Sequence, residues 1–132
     1  MGLLRGARTY LTELADLAML LLARELLRTR SPLQVHEAVR RLGSYLPRLR
    51  SVAEARAAMR ALSAHGTCLT RSLAIASRMP RADIAIGVVH DPTEPLRAHA
   101  WVEIDGTPIE PAEPVGAVIA RLWGTPARQP PS

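Results

Sequence analysis

The sequence predicts an α+β fold: N-terminal helices, then a helix that carries the single cysteine, then a small antiparallel sheet. Three observations lead there. Up to residue 78, apolar residues recur at helical spacing between cap and breaker signals. From residue 82, "ADIAIGVVH" and "RAHAWVEI" are β-rich, and Ile84, Ile86 and Val88 alternate. "DG" at 105–106, set between two such stretches, is a strong hairpin signal. Helices followed by strands, rather than alternating with them, give an α+β layout.

The first helix is expected over 3–29, with Leu3, Tyr10, Leu14, Leu17, Leu21 and Leu27 in helical spacing and "LAMLLLA" at 17–23 as its buried face. Acids toward its start and Arg24, Arg28 and Arg30 toward its end suit the helix dipole. "SPL" at 31–33 starts a second helix, with Ser31 as N-cap and Pro32 in the first position, ending near Gly43. Ser51 and Glu54 form a capping-box pattern for a third helix, 52–64, which His65 and Gly66 break. Thr67 then caps a fourth helix, 68–78, closed by "MP" at 79–80. Strands follow on either side of a turn at 91–95, and a short return strand is expected at 107–111. "VGAVIARLW" at 115–123 is expected as a last short helix, and the tail beyond it as frayed.

The 132 residues suit one domain. With 48% hydrophobic but only 3% aromatic residues, its core must be aliphatic. A single cysteine excludes an internal disulfide framework and favours a reducing, cytoplasmic setting. The net charge of +5 raises nucleic acid as a partner. All 17 basic residues are Arg, however, scattered among acids, with two Tyr and two Trp for stacking bases, so nucleic acid is not expected. No membrane contact is expected either: the most apolar stretch, "LAMLLLA" at 17–23, is far below the ~20 residues of a spanning helix.

Cys68 opens the fourth helix. Thiolates are the nucleophiles of cysteine chemistry, and unpaired N–H groups at a helix start favour negative charge there. The same groups can hold an oxyanion during acyl transfer. From this segment alone, a buried Cys packing beside Leu69 and Leu73 is the favoured reading.

A nucleophile needs a base. His36, beside Glu37 and Arg40, is expected on a solvated face, and His90 at an exposed turn. His65 precedes a helix break, which leaves its direction open. His99 sits mid-strand, alternating with Trp101 and Glu103. Ordinary packing can explain a strand histidine, but a helix and a strand separate it from Cys68, which lets the two meet. The chain has no Asn, so an orienting third group must be an acid. A two-residue Asp-Gly turn pairs Ile104 with Thr107 and Trp101 with Glu110. Glu110 then shares the face of His99 as a diagonal neighbour at about 7–8 Å. Glu103 shares that face too but is nearest the turn; Glu110 is the first choice and Asp105, whose turn position explains it without chemistry, the second.

In order, "CLTRSLAIA", "IAIGVV" and "LRAHAWVEIDGTPI" resemble the peptidase B proteins of lasso-peptide biosynthesis, which are transglutaminase-like cysteine proteases, over roughly residues 51–112. The pieces are short; their joint order and spacing carry the specificity. The resemblance implies a papain-like core, with Cys68 as nucleophile and His99 as general base. Glu110 lies where the family's Asn, or the acid after it, falls. The implied domain map is a helical part at 1–50, a catalytic core at 51–124 and a flexible tail at 125–132. The implied reaction is leader removal from a ribosomal precursor peptide before a lasso cyclase closes the ring, with no cofactor. In the split form of the family a separate leader-recognition protein delivers the precursor, and this chain has no segment resembling that protein.

Three rivals stand beside this reading. His65 and Cys68 in H-x-x-C spacing, with His99, suggest a metal site, but a fourth ligand is wanting. A non-catalytic interaction module could keep the same shape. The same triad could also exchange amides instead of hydrolysing them.

Overall fold

The structure, a computed structural model, describes residues 2–89, 97–110 and 115–123. The expected turn at 91–95, His90 and the tail lie outside the described residues. Four helices come first: α1 (Gly2–Leu26), α2 (Pro32–Gly43), α3 (Val52–Ala61) and α4 (Cys68–Ala76). β1 (Ala82–Val89), β2 (Arg97–Ile104), β3 (Thr107–Pro108) and β4 (Val115–Leu122) make an antiparallel sheet in the order β3-β2-β1-β4. No helix among the described residues is long and apolar enough to cross a membrane.

The caps fall where the sequence puts them. Ser31 and Gln34 form a full capping box on α2, with Pro32 in its first turn. At the start of α3 the Ser51 side chain accepts from the Glu54 amide, but Glu54 Oε1 accepts from the Arg50 amide at 2.8 Å, so only the Ser51 half of the expected box forms. α2 ends at Gly43 as expected, while α1, α3 and α4 end two or three residues early, the range over which helices fray.

The helix that begins with Cys68 is the centre of the molecule. α1, α2 and α3 pack against α4 from one side, and β1 and β2 from the other. Leu73, Ala74 and Ile75 are fully buried. Small side chains let the neighbours come close. A Cβ on Gly43 at the end of α2 would meet the Ser77 carbonyl oxygen at 2.1 Å, so that position admits only glycine.

Three expectations are corrected. The first concerns α1, which carries two apolar stripes. Tyr10, Leu14, Leu17 and Leu21 are exposed, and the helix instead buries Ala15, Asp16, Met19, Leu20 and Ala23. Spacing alone cannot choose between the stripes. Two features favour the second: Ala15 and Ala23 allow close approach, and Asp16 meets a buried cation. That cation is Arg78, just past α4. It forms an ion pair with Asp16, and also donates to the Thr12 carbonyl at 3.0 Å and the Pro47 carbonyl at 2.7 Å. One guanidinium thus ties α1, the loop before α3 and the end of α4 together. Burial pushes the Asp16 carboxyl up to about 6, and the neighbouring Arg78 offsets only part of that.

The second correction is at the C-terminal end. Residues 115–122 form a strand on the free edge of β1, not a helix. A nine-residue apolar run cannot be assigned by period alone, and Val115, Val118 and Ile119 are β-branched. The third is His36, which is buried, not solvated, at 1% exposure. Its Nε2 lies 2.9 Å from the Trp123 carbonyl, docking the end of β4 on α2. Burial lowers the pKa of this imidazole, so it is neutral and the nitrogen donates.

The hairpin has the expected register, Ile104 opposite Thr107 and Glu103 opposite Pro108. Asp105 (φ 54°) and Gly106 (φ 78°) supply the two left-handed residues of such a turn. The return strand ends at Pro108 rather than at 111, though the Ile109 amide still donates to the Val102 carbonyl at 3.0 Å.

Candidate active site

Thr67 fixes where α4 begins. Its Oγ1 accepts from the Thr70 amide at 3.2 Å, and Thr70 Oγ1 accepts from the Thr67 amide at 2.8 Å, a reciprocal box. Gly66 precedes it at φ 65°, where a Cβ would meet Thr70 Oγ1 at 2.4 Å. Arg71, one turn into the helix, donates to the carbonyls of His65 and Gly66, each at 3.1 Å. The loop entering the helix is therefore held from both sides, and Cys68 stands in the first turn.

The first turn of any helix leaves N–H groups without intrahelical acceptors. Here the cap takes the Thr70 amide. The amides of Cys68 and Leu69 have no acceptor among the described residues. Those two donors lie beside the sulfur and suit a carbonyl oxygen that gains charge.

The open edge of β2 brings the strand to the sulfur. Because the Val102 carbonyl bonds to Ile109, residues of the same parity turn their backbone groups toward the β3 side. β3 stops before it can reach the Ala100 amide. That N–H instead donates to Cys68 Sγ at 3.3 Å. Ala100 N belongs to the peptide that follows His99, so the sulfur rests on the backbone of the candidate base.

Cys68 and His99 are both half-buried, and they line one cleft of about 310 Å³ together with Glu110. Arg60, Arg71 and Trp101 also border it. Arg56 of α3 donates to the Ile109 carbonyl and pins the end of the hairpin against the helix. Asp105 is elsewhere, at the exposed turn, 3.8 Å from Arg81. His65 is exposed and enters the arrangement through its carbonyl. Among the described residues no group of three metal-ligating side chains forms. No hydrogen bond joins Glu110 to His99 among the described residues; the ring is instead stacked on Trp101, with centroids 5.9 Å apart and planes at 21°.

The sequence reading missed the partners of that tryptophan. Its Nε1–H donates to Glu103 at 2.9 Å, and Arg121 Nε donates to the other Glu103 oxygen at 3.3 Å. Alternation along β2 already placed Trp101 and Glu103 on the face of His99. Arg121 was out of reach while its segment was read as a helix.

A family model for the transglutaminase-like superfamily matches residues 8–120, taking in most of α1 as well as the sheet. Neither the curated proteins nor the solved structures give a match. A helix that begins with a cysteine, packed on an antiparallel sheet whose second strand presents a histidine, agrees with that match: the chain belongs to the transglutaminase-like superfamily.

Proposed function

We propose that this chain is a cysteine peptidase that removes the leader from a ribosomally made lasso-peptide precursor. The observation that carries the reading is the seat of Cys68 Sγ: first turn of α4, 3.3 Å from the amide that follows His99, in an open cleft. Superfamily membership supports cysteine-based acyl chemistry. The ordered likeness of "CLTRSLAIA", "IAIGVV" and "LRAHAWVEIDGTPI" to the lasso peptidase B family supports the substrate.

In this mechanism His99 takes the thiol proton of Cys68, and the sulfur attacks the scissile carbonyl. The carbonyl oxygen leans on the amides of Cys68 and Leu69. The carbon–nitrogen bond breaks, and the leaving amine, the N-terminus of the core peptide, takes the proton from His99. Water, deprotonated by His99, then attacks the thioester; the carbon–sulfur bond breaks, the leader carboxylate leaves and the thiol is restored. Glu110 faces the cleft as the acid that steadies the imidazolium, with Asp105 as the alternative. A separate leader-recognition protein delivers the precursor, and a lasso cyclase closes the released core, all in the cytoplasm.

Incubation with candidate precursor peptides and their recognition protein, followed by mass spectrometry, tests the proposal. Cleavage at the leader–core junction that disappears in Cys68→Ala supports it. Leader release by Cys68→Ala contradicts the nucleophile, and a product carrying an added amine in place of water points to amide exchange.

A further inference from the structure

We infer that Glu103 is a positioning residue for His99, acting through the indole of Trp101; the inference rests on His99 being the general base. His99, Trp101 and Glu103 alternate along β2 and so share one face of the sheet. The imidazole of a histidine turns easily about its last side-chain bond, whose energy wells are broad. A base must hold its nitrogen toward the thiol, and so something must set the plane of the ring.

On β1 the residue opposite His99 is Gly87, which offers no side chain to lean on. Among the described residues, the ring contact of His99 is the stack on Trp101, 5.9 Å between centroids and 21° between planes. The indole is itself fixed by one hydrogen bond, from Nε1–H to Glu103 Oε2 at 2.9 Å. Glu103 is held in turn, since its Oε1 accepts from Arg121 Nε at 3.3 Å. Arg121 comes from β4, two strands away, and its guanidinium lies 6.0 Å from the ring centre of Trp123. A continuous line of contacts therefore runs from the far edge of the sheet to the imidazole.

Glu103 is 5% exposed and does not border the cleft. Trp101 borders the cleft and Glu103 does not, so the route from Glu103 to the reacting groups runs through the tryptophan it bonds. A carboxylate kept this close to solvent exclusion needs a reason. Two donors from two different strands, both satisfied, keep it in one place.

Turnover of p-nitrophenyl acetate by the full chain tests this, with Cys68→Ala as control. Glu103→Leu removes the acceptor for the indole; it should lower kcat about tenfold and leave KM within about twofold. Glu103→Gln keeps an acceptor oxygen and should stay within about threefold of the parent. Arg121→Ala releases one of the two holds on Glu103 but keeps the Trp101–Glu103 bond; it should lower the unfolding midpoint and lower kcat by less than Glu103→Leu does. If Glu103→Leu does not fold, Trp101→Phe removes the same hydrogen bond while keeping a ring for the stack, and kcat should fall at least about threefold. Parental kcat in Glu103→Leu, or in Trp101→Phe where that variant stands in, overturns the inference. So does a loss in Arg121→Ala or Glu103→Gln as large as in Glu103→Leu. Either result, with Cys68→Ala inactive, leaves the nucleophile reading intact. Turnover that persists in Cys68→Ala overturns that reading and the inference with it.

Discussion

The sulfur of Cys68 accepts a hydrogen bond from the amide of Ala100, 3.3 Å away, so the first turn of α4 and the open edge of β2 meet at one atom. The short β3 makes this possible. A longer return strand would take the Ala100 amide into the sheet and leave the sulfur facing a closed ladder. The position of the nucleophile thus depends on where a hairpin ends and where a helix begins.

The helix start can be tested through its cap. Thr67→Ala removes the oxygen that accepts from the Thr70 amide and should cost about 1 kcal/mol in urea unfolding. Because the same cap sets the seat of Cys68, kcat should fall further than the stability loss alone explains. Thr67→Ser, which keeps the oxygen, should restore both.

The two candidate acids separate by substitution. Glu110→Gln should lower kcat about tenfold or more, since Glu110 lines the cleft with His99. Asp105→Asn should leave kcat unchanged and stability within about 0.5 kcal/mol, because its pairing with Arg81 is at an exposed turn and Asn tolerates the same backbone angle. The opposite ranking in steady-state assays would exchange their roles.

Arg78 should be the most sensitive polar position in the chain. Arg78→Met leaves Asp16 buried without its partner and two carbonyls without their donors, and should cost about 3–5 kcal/mol or prevent folding. Asp16→Asn should cost less, since the guanidinium keeps the Thr12 and Pro47 carbonyls. Chemical unfolding of the two variants measures the difference.

That pair also marks the limit of what the sequence tells. Caps, turns and strand alternation are local, and Ser31, Ser51, Thr67 and the Asp105–Gly106 turn were legible for that reason. The hairpin register followed from the turn, and with it Glu110 came to the cleft with His99. Which stripe of α1 faces inward was not legible: the choice depends on Arg78, 62 residues from Asp16. The strand at 115–122 exists because β1 has a free edge to fill, a fact about the sheet and not about those eight residues. His36 carries polar neighbours in sequence, yet its ring is buried and bonds the Trp123 carbonyl, just past a strand whose apolar run suits a helix as well.

Two buried groups should give stability opposite slopes with pH. The folded-state pKa of His36 lies below its ordinary 6.5, so the unfolded chain binds the extra proton; its contribution is present above 6.5 and is lost as pH falls below it. Asp16 is raised from 3.8 to about 6, so its contribution is greatest below 3.8 and is lost as pH rises through about 6. Urea midpoints between pH 7.5 and 4.5 check both signs. Relative to the parent, His36→Gln should lose less stability on acidification from pH 7 to 5.5, and Asp16→Asn should forgo the gain between pH 6 and 4.5.

The central claim is that Cys68 is a reactive nucleophile paired with His99, and the chain's single cysteine makes it directly measurable. The measurement is the rate of iodoacetamide alkylation at pH 6, followed on the intact 14.4 kDa protein by mass. The folded protein should label at least about tenfold faster than the urea-unfolded chain, and His99→Ala should remove most of that advantage. A folded protein that labels no faster than the unfolded chain, with or without His99, would contradict the claim and leave Cys68 as packing.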